Sequence, residues 1–173
     1  MEGIISLSVS ESSPSEPLTL SEVKDHLKID FTDRDTYLGT LLTACRQELE
    51  EYLGVSIAVK TITIIVNSYN EFTLPYGPIT SITSVGQRNG NDGSGVPVYD
   101  TVEADDYQRS EDRIYLGEGR FKIIYVTGMS SVPQVIKQQL KRLIAYRNAN
   151  AGDEKELRID EIVGNSNKNM SWI

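Results

Sequence analysis

The sequence predicts an α+β protein: a small bundle of three main helices with an inserted antiparallel β meander and extended N- and C-terminal arms. Apolar residues recur at three- and four-residue steps in residues 19–53 and 133–148, a spacing typical of amphipathic helices. In residues 57–127 the period becomes two, and Gly- and Pro-rich stretches separate short β-branched runs. The length of 173 residues favours one domain with short appendages.

The first two helices have recognisable ends. Thr19 stands three residues before Glu22, the spacing of a capping box, and predicts a helix over residues 19–29. A second helix is predicted over residues 33–53, where seven apolar or Cys residues share one face. It ends at Gly54, a residue that readily adopts the left-handed conformation of a helix C-terminus.

A third helix over residues 133–148 begins at Pro133, which is favoured in the first turn of a helix. The β region between the second and third helices holds six predicted strands, near residues 57–66, 71–74, 79–88, 96–100, 113–116 and 120–126. Strands so closely spaced, with no helical pattern between them, predict an antiparallel arrangement.

The two ends of the chain differ in composition from the domain predicted at residues 19–150. Residues 1–18 are rich in Ser, Glu and Pro and are expected to form a flexible arm, with room for a short strand at residues 4–9. Residues 151–173 are polar and Asn-rich, and we expect this tail to bind a partner through its few apolar residues, Ile159, Ile162, Val163, Trp172 and Ile173. The alternative is a frayed tail that binds nothing.

Composition excludes several classes of function. The 25 acidic residues outnumber the 17 basic ones, giving a net charge of −8, whereas nucleic-acid binders and proteins that dock on anionic lipid usually carry a basic surface. One His and one Cys are too few for a structural zinc site or an intrachain disulfide. With neither a secretion signal nor a long apolar run, we expect synthesis in a reducing cytoplasm and no membrane partner.

No catalytic, cofactor or metal site is predicted. Asp25 adjoins His26 in sequence, so the two side chains point apart on a helix and cannot begin a triad. The loop at residues 89–95 has the composition of a calcium loop but not its spacing, and is expected to be a flexible hairpin tip whose exposed residues are Asn89, Asn91, Asp92 and Gly93. The alternative from another class is a small cytoplasmic hydrolase that uses Asp or Ser residues.

Six segments follow one another in an order that has a counterpart in a known family. The first reads L-S-E-V-K-D-H-L-K-I-D and begins at Leu20. The others are the second predicted helix with its terminal glycine, a strand containing V-K-T-I, the motif L-P-Y-G-P-I-T-S-I, the segment Y-V-T-G and the start of the third helix, V-P-Q-V-I-K-Q-Q-L. They occupy residues 20–30, 35–54, 59–62, 74–82, 125–128 and 132–140.

This order resembles the head–tail connector (adaptor) proteins of tailed bacteriophages, which are related to gene-transfer-agent adaptors. The resemblance covers residues 18–148 and implies a structural virion protein of the neck, not an enzyme. It implies a closed ring of about twelve copies that joins the portal protein to a stopper or tail-terminator protein and lets DNA pass. Another virion joining module, such as a stopper or tail-completion protein, is the nearest alternative.

The net charge and the sequence after the third predicted helix both bear on the expected connector ring. An acidic subunit suits a channel whose DNA must slide through without binding, because each neutralised phosphate would add affinity. Family members often continue the last helix with an aromatic residue and an Arg-Glu ending, whereas here Tyr146-Arg147-Asn148 leads into unrelated sequence. Because the polar tail ends in Trp172, we expect residues 153–173 to grip the portal. We expect the hairpin tip to face outward or toward the tail.

Overall fold

The computed structural model of the chain describes residues 3–10, 16–68, 70–151 and 159–163. The chain divides into two units. The β unit consists of Met1–Pro14 and Ala58–Met129, and the helical unit consists of Ser15–Ile57 and Ser130–Ile173. These units divide the domain that the sequence predicts at residues 19–150, and the predicted boundaries after residues 18 and 150 stay predictions.

The helical unit contains the three main helices that the sequence predicts and one short helix. In chain order they are α1 (Leu20–Leu27), α2 (Asp35–Leu53), α3 (Gln134–Ala149) and α4 (Ile159–Val163). α1 is shorter than expected because Thr19 is its N-cap and Lys28, in the left-handed conformation, ends it. α2 begins at Asp35 instead of residue 33, after Arg34 in the N-cap position.

The core of the helical unit forms where α1, α2 and α3 contact one another. Each helix contributes apolar residues at three- and four-residue steps, so one face of each is buried. The buried apolar residues of these helices are Val23, Leu38, Leu42, Cys45, Leu49, Ile136, Leu140, Leu143 and Ile144.

The β unit contains eight described strands in two antiparallel sheets. The strands are β1 (Gly3–Ser10), β2 (Lys60–Ser68), β3 (Glu71–Thr73), β4 (Ile79–Asn91), β5 (Pro97–Thr101), β6 (Gln108–Ser110), β7 (Arg113–Tyr115) and β8 (Gly119–Thr127). The larger sheet has the order β1-β2-β8-β4-β5 and the smaller one β3-β7-β6. The predicted α+β class is confirmed, and all six predicted strands are present.

The strand order departs from the expected meander. β8 lies between β2 and β4, although it follows both in sequence. β8 is the central strand of the larger sheet, and one of its faces is buried through Phe121, Ile123 and Tyr125. Its other face is partly exposed and carries Arg120 and Lys122 beside Ile124 and Val126. Sequence neighbours alone do not indicate this insertion.

The predicted N-terminal arm contains a strand longer than expected. β1 spans eight residues and pairs with β2 from Gly3↔Asn67 to Ser10↔Thr61, with one irregularity between Ile4 and Ser6. β1 and β5 are therefore the two edges of the larger sheet. The apolar core of the β unit lies on one face of that sheet and includes residues of the smaller sheet; its fully buried members are Ile62, Ile64, Val66, Ile114, Ile123 and Tyr125.

Candidate partner-binding surfaces

The hairpin tip between β4 and β5 is closed around Asp92. Its Oδ1 accepts hydrogen bonds from the backbone N–H groups of Ser94 (2.8 Å) and Val96 (2.9 Å). The backbone N–H of Asp92 donates to the carbonyl oxygen of Val96 at 2.8 Å. The Asp92 side chain thus caps its own turn, as Asp side chains often do. The flexibility expected of this tip stays a prediction.

The predicted tip residues Asn89, Asn91, Asp92 and Gly93 are all exposed and lie together at this end of the hairpin. Arg88 Nη2 donates to Asn91 Oδ1 at 2.8 Å, and Asn89 donates to the carboxylate of Asp100. Val96 and Val98 follow the tip and are also exposed. The tip thus exposes the amides of Asn89 and Asn91, the carboxylate of Asp92 and the apolar side chains of Val96 and Val98.

The predicted partner-binding residues of the tail fall partly within the described chain. Ile159 and Ile162 are in α4, where both are half-buried, and α4 contacts α3. Val163 ends the same helix. Trp172 and Ile173 lie outside the described residues, so their part in partner binding stays a prediction.

The segment L-P-Y-G-P-I has a structural role in the β unit. The hydroxyl of Tyr125 donates to the carbonyl oxygen of Pro75 at 2.9 Å, and Thr127 Oγ1 donates to that of Pro78 at 3.0 Å. Asp112 Oδ1 accepts from the backbone N–H of Ile79 at 3.1 Å. Burial raises the pKa of the Tyr125 phenol well above its usual range, so this donor stays protonated. The bonds of Tyr125 and Thr127 hold the loop before β4 against β8, and the Asp112 bond joins the start of β4 to the turn between β6 and β7.

Gly128 follows β8 where only glycine fits. Its φ is +125°, and a Cβ at this position would lie 2.6 Å from the carbonyl oxygen of Ala58. Its backbone N–H donates to the carbonyl oxygen of Pro78 at 3.1 Å. The glycine of the Y-V-T-G segment therefore allows close approach of two backbone stretches.

A buried ion network fastens α2 to the segments before and after it. Arg46 Nη1 lies 2.8 Å from Glu50 Oε2, and Arg46 Nε lies 3.0 Å from Glu16 Oε2. Glu50 Oε1 accepts from the backbone N–H of Ile57 at 2.7 Å. Sequence analysis missed this network, although its signal was present: Arg and Glu four residues apart on an otherwise apolar helix face.

The residues weighed for catalysis do not form a site. His26 and Asp25 are exposed on α1, whereas Cys45 is buried and burial raises the pKa of its thiol to about 12. Within residues 3–10, 16–68, 70–151 and 159–163, no group of three or more His, Cys, Asp or Glu residues could hold a metal ion. No helix in those ranges is long and apolar enough to span a membrane.

Part of the chain is similar to a known protein family. Residues 17–89 match the family model of the phage gp6-like head-tail connector protein. This part of the chain contains α1, α2, β2 and β3 and most of β4. The resemblance noted in the sequence is thereby confirmed, and residues 17–89 carry the sequence features of that family.

Two solved structures extend the likeness to nearly the whole chain. One is a chain in the "virion of native gene transfer agent (GTA) particle", with a TM-score of 0.71 and 19% identity over 91% of this chain and 92% of that one. The other is in the "neck of empty GTA particle computed with C6 symmetry", with a TM-score of 0.72 and 20% identity over 92% and 94%. At these identities the likeness shows the fold. No curated protein matches the chain.

Proposed function

We propose that this chain is a head–tail connector of a phage-like particle. The observation that carries the proposal is the match of residues 17–89 to the connector family, together with a fold shared over 92% of the chain with a GTA neck protein. A structural role also agrees with the buried state of the lone Cys45 and the exposed, isolated position of His26.

In this proposal the protein is made in the host cytoplasm and forms a homo-oligomeric ring of about twelve copies, in which each subunit offers two different surfaces to its neighbours. The ring joins the portal protein to a stopper or tail-terminator protein, and DNA passes through it. The net charge of −8 supports this passage, because an acidic subunit does not neutralise DNA phosphates.

Two segments are assigned to the partners. The C-terminal segment, residues 153–173 with Ile159, Ile162 and Trp172, binds the portal. The exposed tip residues Asn89, Asn91, Asp92 and Gly93 face outward or toward the tail. The half-buried state of Ile159 and Ile162 supports the first assignment, since such side chains can pack on α3 and on a partner together.

The assembly is tested by electron microscopy and native mass spectrometry of the full chain, alone and mixed with the portal protein of the same particle. A ring on the portal is expected. A chain that stays monomeric in both conditions would contradict the proposal, and one that joins only tail-side proteins would favour a stopper or tail-completion protein. A monomer with hydrolytic activity would favour the alternative that the protein is a small hydrolase.

Two truncations test the portal assignment. Removal of residues 153–173 is expected to abolish portal binding, measured by sedimentation of mixtures, while circular dichroism stays native. Removal of residues 164–173 alone separates the contribution of Trp172 and Ile173 from that of α4. Portal binding retained by the longer deletion would overturn the assignment.

A further inference from the structure

We infer that the apolar side of β1 is a contact surface for a second copy of this chain. The inference rests on the proposed ring and deepens it, because it names part of the interface between subunits. It concerns three residues of β1, namely Ile4, Leu7 and Val9, which we call the β1 stripe.

The pairing of β1 with β2 fixes the side to which the stripe points. Leu7 is opposite Ile64 and Val9 is opposite Ile62. Residues directly opposite in an antiparallel pair project from the same face of the sheet. Ile62 and Ile64 are fully buried in the core of the β unit. The stripe therefore continues the core row of the sheet by one more strand.

Unlike that row, the stripe is uncovered. Ile4 is 47% exposed, Leu7 39% and Val9 46%. The other face of β1 presents serines, since Ser6 is opposite Ile65 and Ser8 is opposite Thr63. From Ser6 to Ser10 the strand thus alternates polar and apolar residues as if its apolar side were to be buried, although no described residue of the chain buries it. Ile5, which is 48% exposed, lies at the irregularity between Ile4 and Ser6 and has no partner in β2.

β1 also lacks the devices that usually protect a free sheet edge. It has no proline and no charged residue across Gly3–Ser10. β5, at the opposite edge of the same sheet, carries both: Pro97 cannot donate a hydrogen bond, and Asp100 adds a charge. The contrast within one sheet indicates that β5 remains an edge and that β1 is covered after assembly.

The net charge of the chain favours a second copy as the partner that covers the β1 stripe. Two copies of this chain each carry −8, so they repel each other least where the contact is uncharged, and β1 is such a surface. DNA would require cationic side chains, which β1 lacks. A pair of β1 strands would give a two-fold dimer, which cannot extend into a cyclic ring, so the stripe packs on a different surface of the neighbouring copy.

The test compares Leu7→Asp with Ser8→Asp in the full chain. Both variants add one negative charge to the same strand, but on opposite faces of the sheet. Self-association is measured by sedimentation velocity and native mass spectrometry, alone and with the portal protein, and folding by circular dichroism. Leu7→Asp is expected to weaken self-association at least tenfold, and Ser8→Asp to assemble like the unmodified chain. Leu7→Ser, which is neutral, is assessed in the same way if Leu7→Asp does not fold.

The other outcomes overturn the inference. Normal assembly of the folded Leu7 variant would show that the stripe is not a subunit contact, while the connector proposal would stand. If the Leu7 variant self-associates normally but does not bind the portal, the portal and not a second copy contacts the stripe. A dimer of the unmodified chain that Leu7→Asp disrupts would indicate β1–β1 pairing, which would overturn the packing of the stripe on a different surface of the neighbouring copy. If the unmodified chain forms no oligomer even with the portal, the ring proposal fails as well.

Discussion

Arg46 and Glu50, one turn apart on α2, form an ion pair of 2.8 Å with side chains that are 0% and 4% exposed. Replacing Arg46 with Met would leave the buried carboxylate of Glu50 without this partner. Because an unpaired buried charge is far more costly than a missing apolar contact, we expect Arg46→Met to lower the free energy of unfolding by about 3–5 kcal/mol. Urea denaturation followed by circular dichroism measures this change.

Glu51→Gln is the matched control for the Arg46 prediction, because Glu51 is the next residue on α2 and is exposed. Its effect is expected to stay within about 0.5 kcal/mol. A loss for Arg46→Met no larger than that of the control would mean that the pair contributes nothing to stability.

The N-terminus of α1 provides a second prediction. The backbone N–H of Glu22 donates to Thr19 Oγ1 at 3.2 Å, and the backbone N–H of Thr19 donates to Glu22 Oε2 at 2.8 Å. The latter bond lowers the pKa of Glu22. Thr19→Ala removes the Oγ1 acceptor of the first of these bonds and should lower the free energy of unfolding by about 1 kcal/mol at neutral pH. Denaturation measures this change, with Ser21→Ala in the same helix as the control.

The contribution of the Glu22 carboxylate to stability depends on pH with a defined sign. A carboxyl group whose pKa is lowered by folding stabilises the fold above its unfolded pKa of 4.5, and this contribution disappears as the pH falls through the folded value. Thr19→Ala keeps the backbone N–H that donates to this carboxylate, so the test uses Glu22→Gln, whose difference in stability from the unmodified chain should shrink on acidification below about pH 4.5. An unchanged difference in acid would contradict the role of the Glu22 carboxylate.

Gly128 and Gly39 allow opposite predictions for the same substitution. Gly128→Ala places a Cβ 2.6 Å from the carbonyl oxygen of Ala58 at a φ of +125°, so a loss of at least about 2 kcal/mol is expected. Gly39 lies within α2, and apart from its chain neighbours and the backbone of its own helix no atom lies within 4 Å of an added Cβ, so Gly39→Ala should stabilise the protein by about 0.5–1 kcal/mol. Thermal denaturation of both variants tests the pair, and equal effects would contradict the structure.

Cys45, the lone cysteine, reports on the integrity of the helical unit. Its thiol is buried, and its pKa is raised from 9.0 to about 12. We expect a thiol reagent at about pH 8 to modify the folded protein at least a hundredfold more slowly than the protein in denaturant, because the thiolate is the reactive form. Rapid modification of the folded chain would be inconsistent with the packing of α2 against α3.

The raised pKa of Cys45 also predicts a loss of stability in alkali. The thiol of the unfolded chain has a pKa of 9.0, whereas that of the folded chain has a pKa of about 12. Between these values only the unfolded chain loses the proton, so unfolding becomes more favourable as the pH rises. The slope should approach about 1.4 kcal/mol per pH unit for this group. Cys45→Ala should show a shallower decline between about pH 9 and 11, and equal slopes would oppose the assignment.

Local chemistry made much of the fold predictable. The capping box at Thr19, the glycine after Leu53 and the alternation in β2 and β8 each indicated an element that the structure confirms. The position of β8 between β2 and β4 was not predictable, because it depends on which strands share a buried row and not on which are neighbours in sequence.

The candidate surfaces were predictable only in part. A polar hairpin tip and an apolar cluster in the tail can be read from composition, so both appeared as candidates. The β1 stripe was missed, because residues 1–18 were interpreted by their Ser, Glu and Pro content, and the alternation of Ile4, Leu7 and Val9 gains meaning only from its partner strand. The Arg46 network was missed because its third member, Glu16, is 30 residues away.

The helical unit is built from two stretches of sequence that the β unit separates, and this affects how the protein folds during synthesis. α2 ends at Leu53, and α3, against which it packs, begins at Gln134. A ribosome adding about 5–20 residues per second needs roughly 4–16 s to translate residues 54–133. For that interval the nascent α1 and α2 carry an uncovered apolar face. We expect ribosome-associated chaperones to bind this face until α3 emerges.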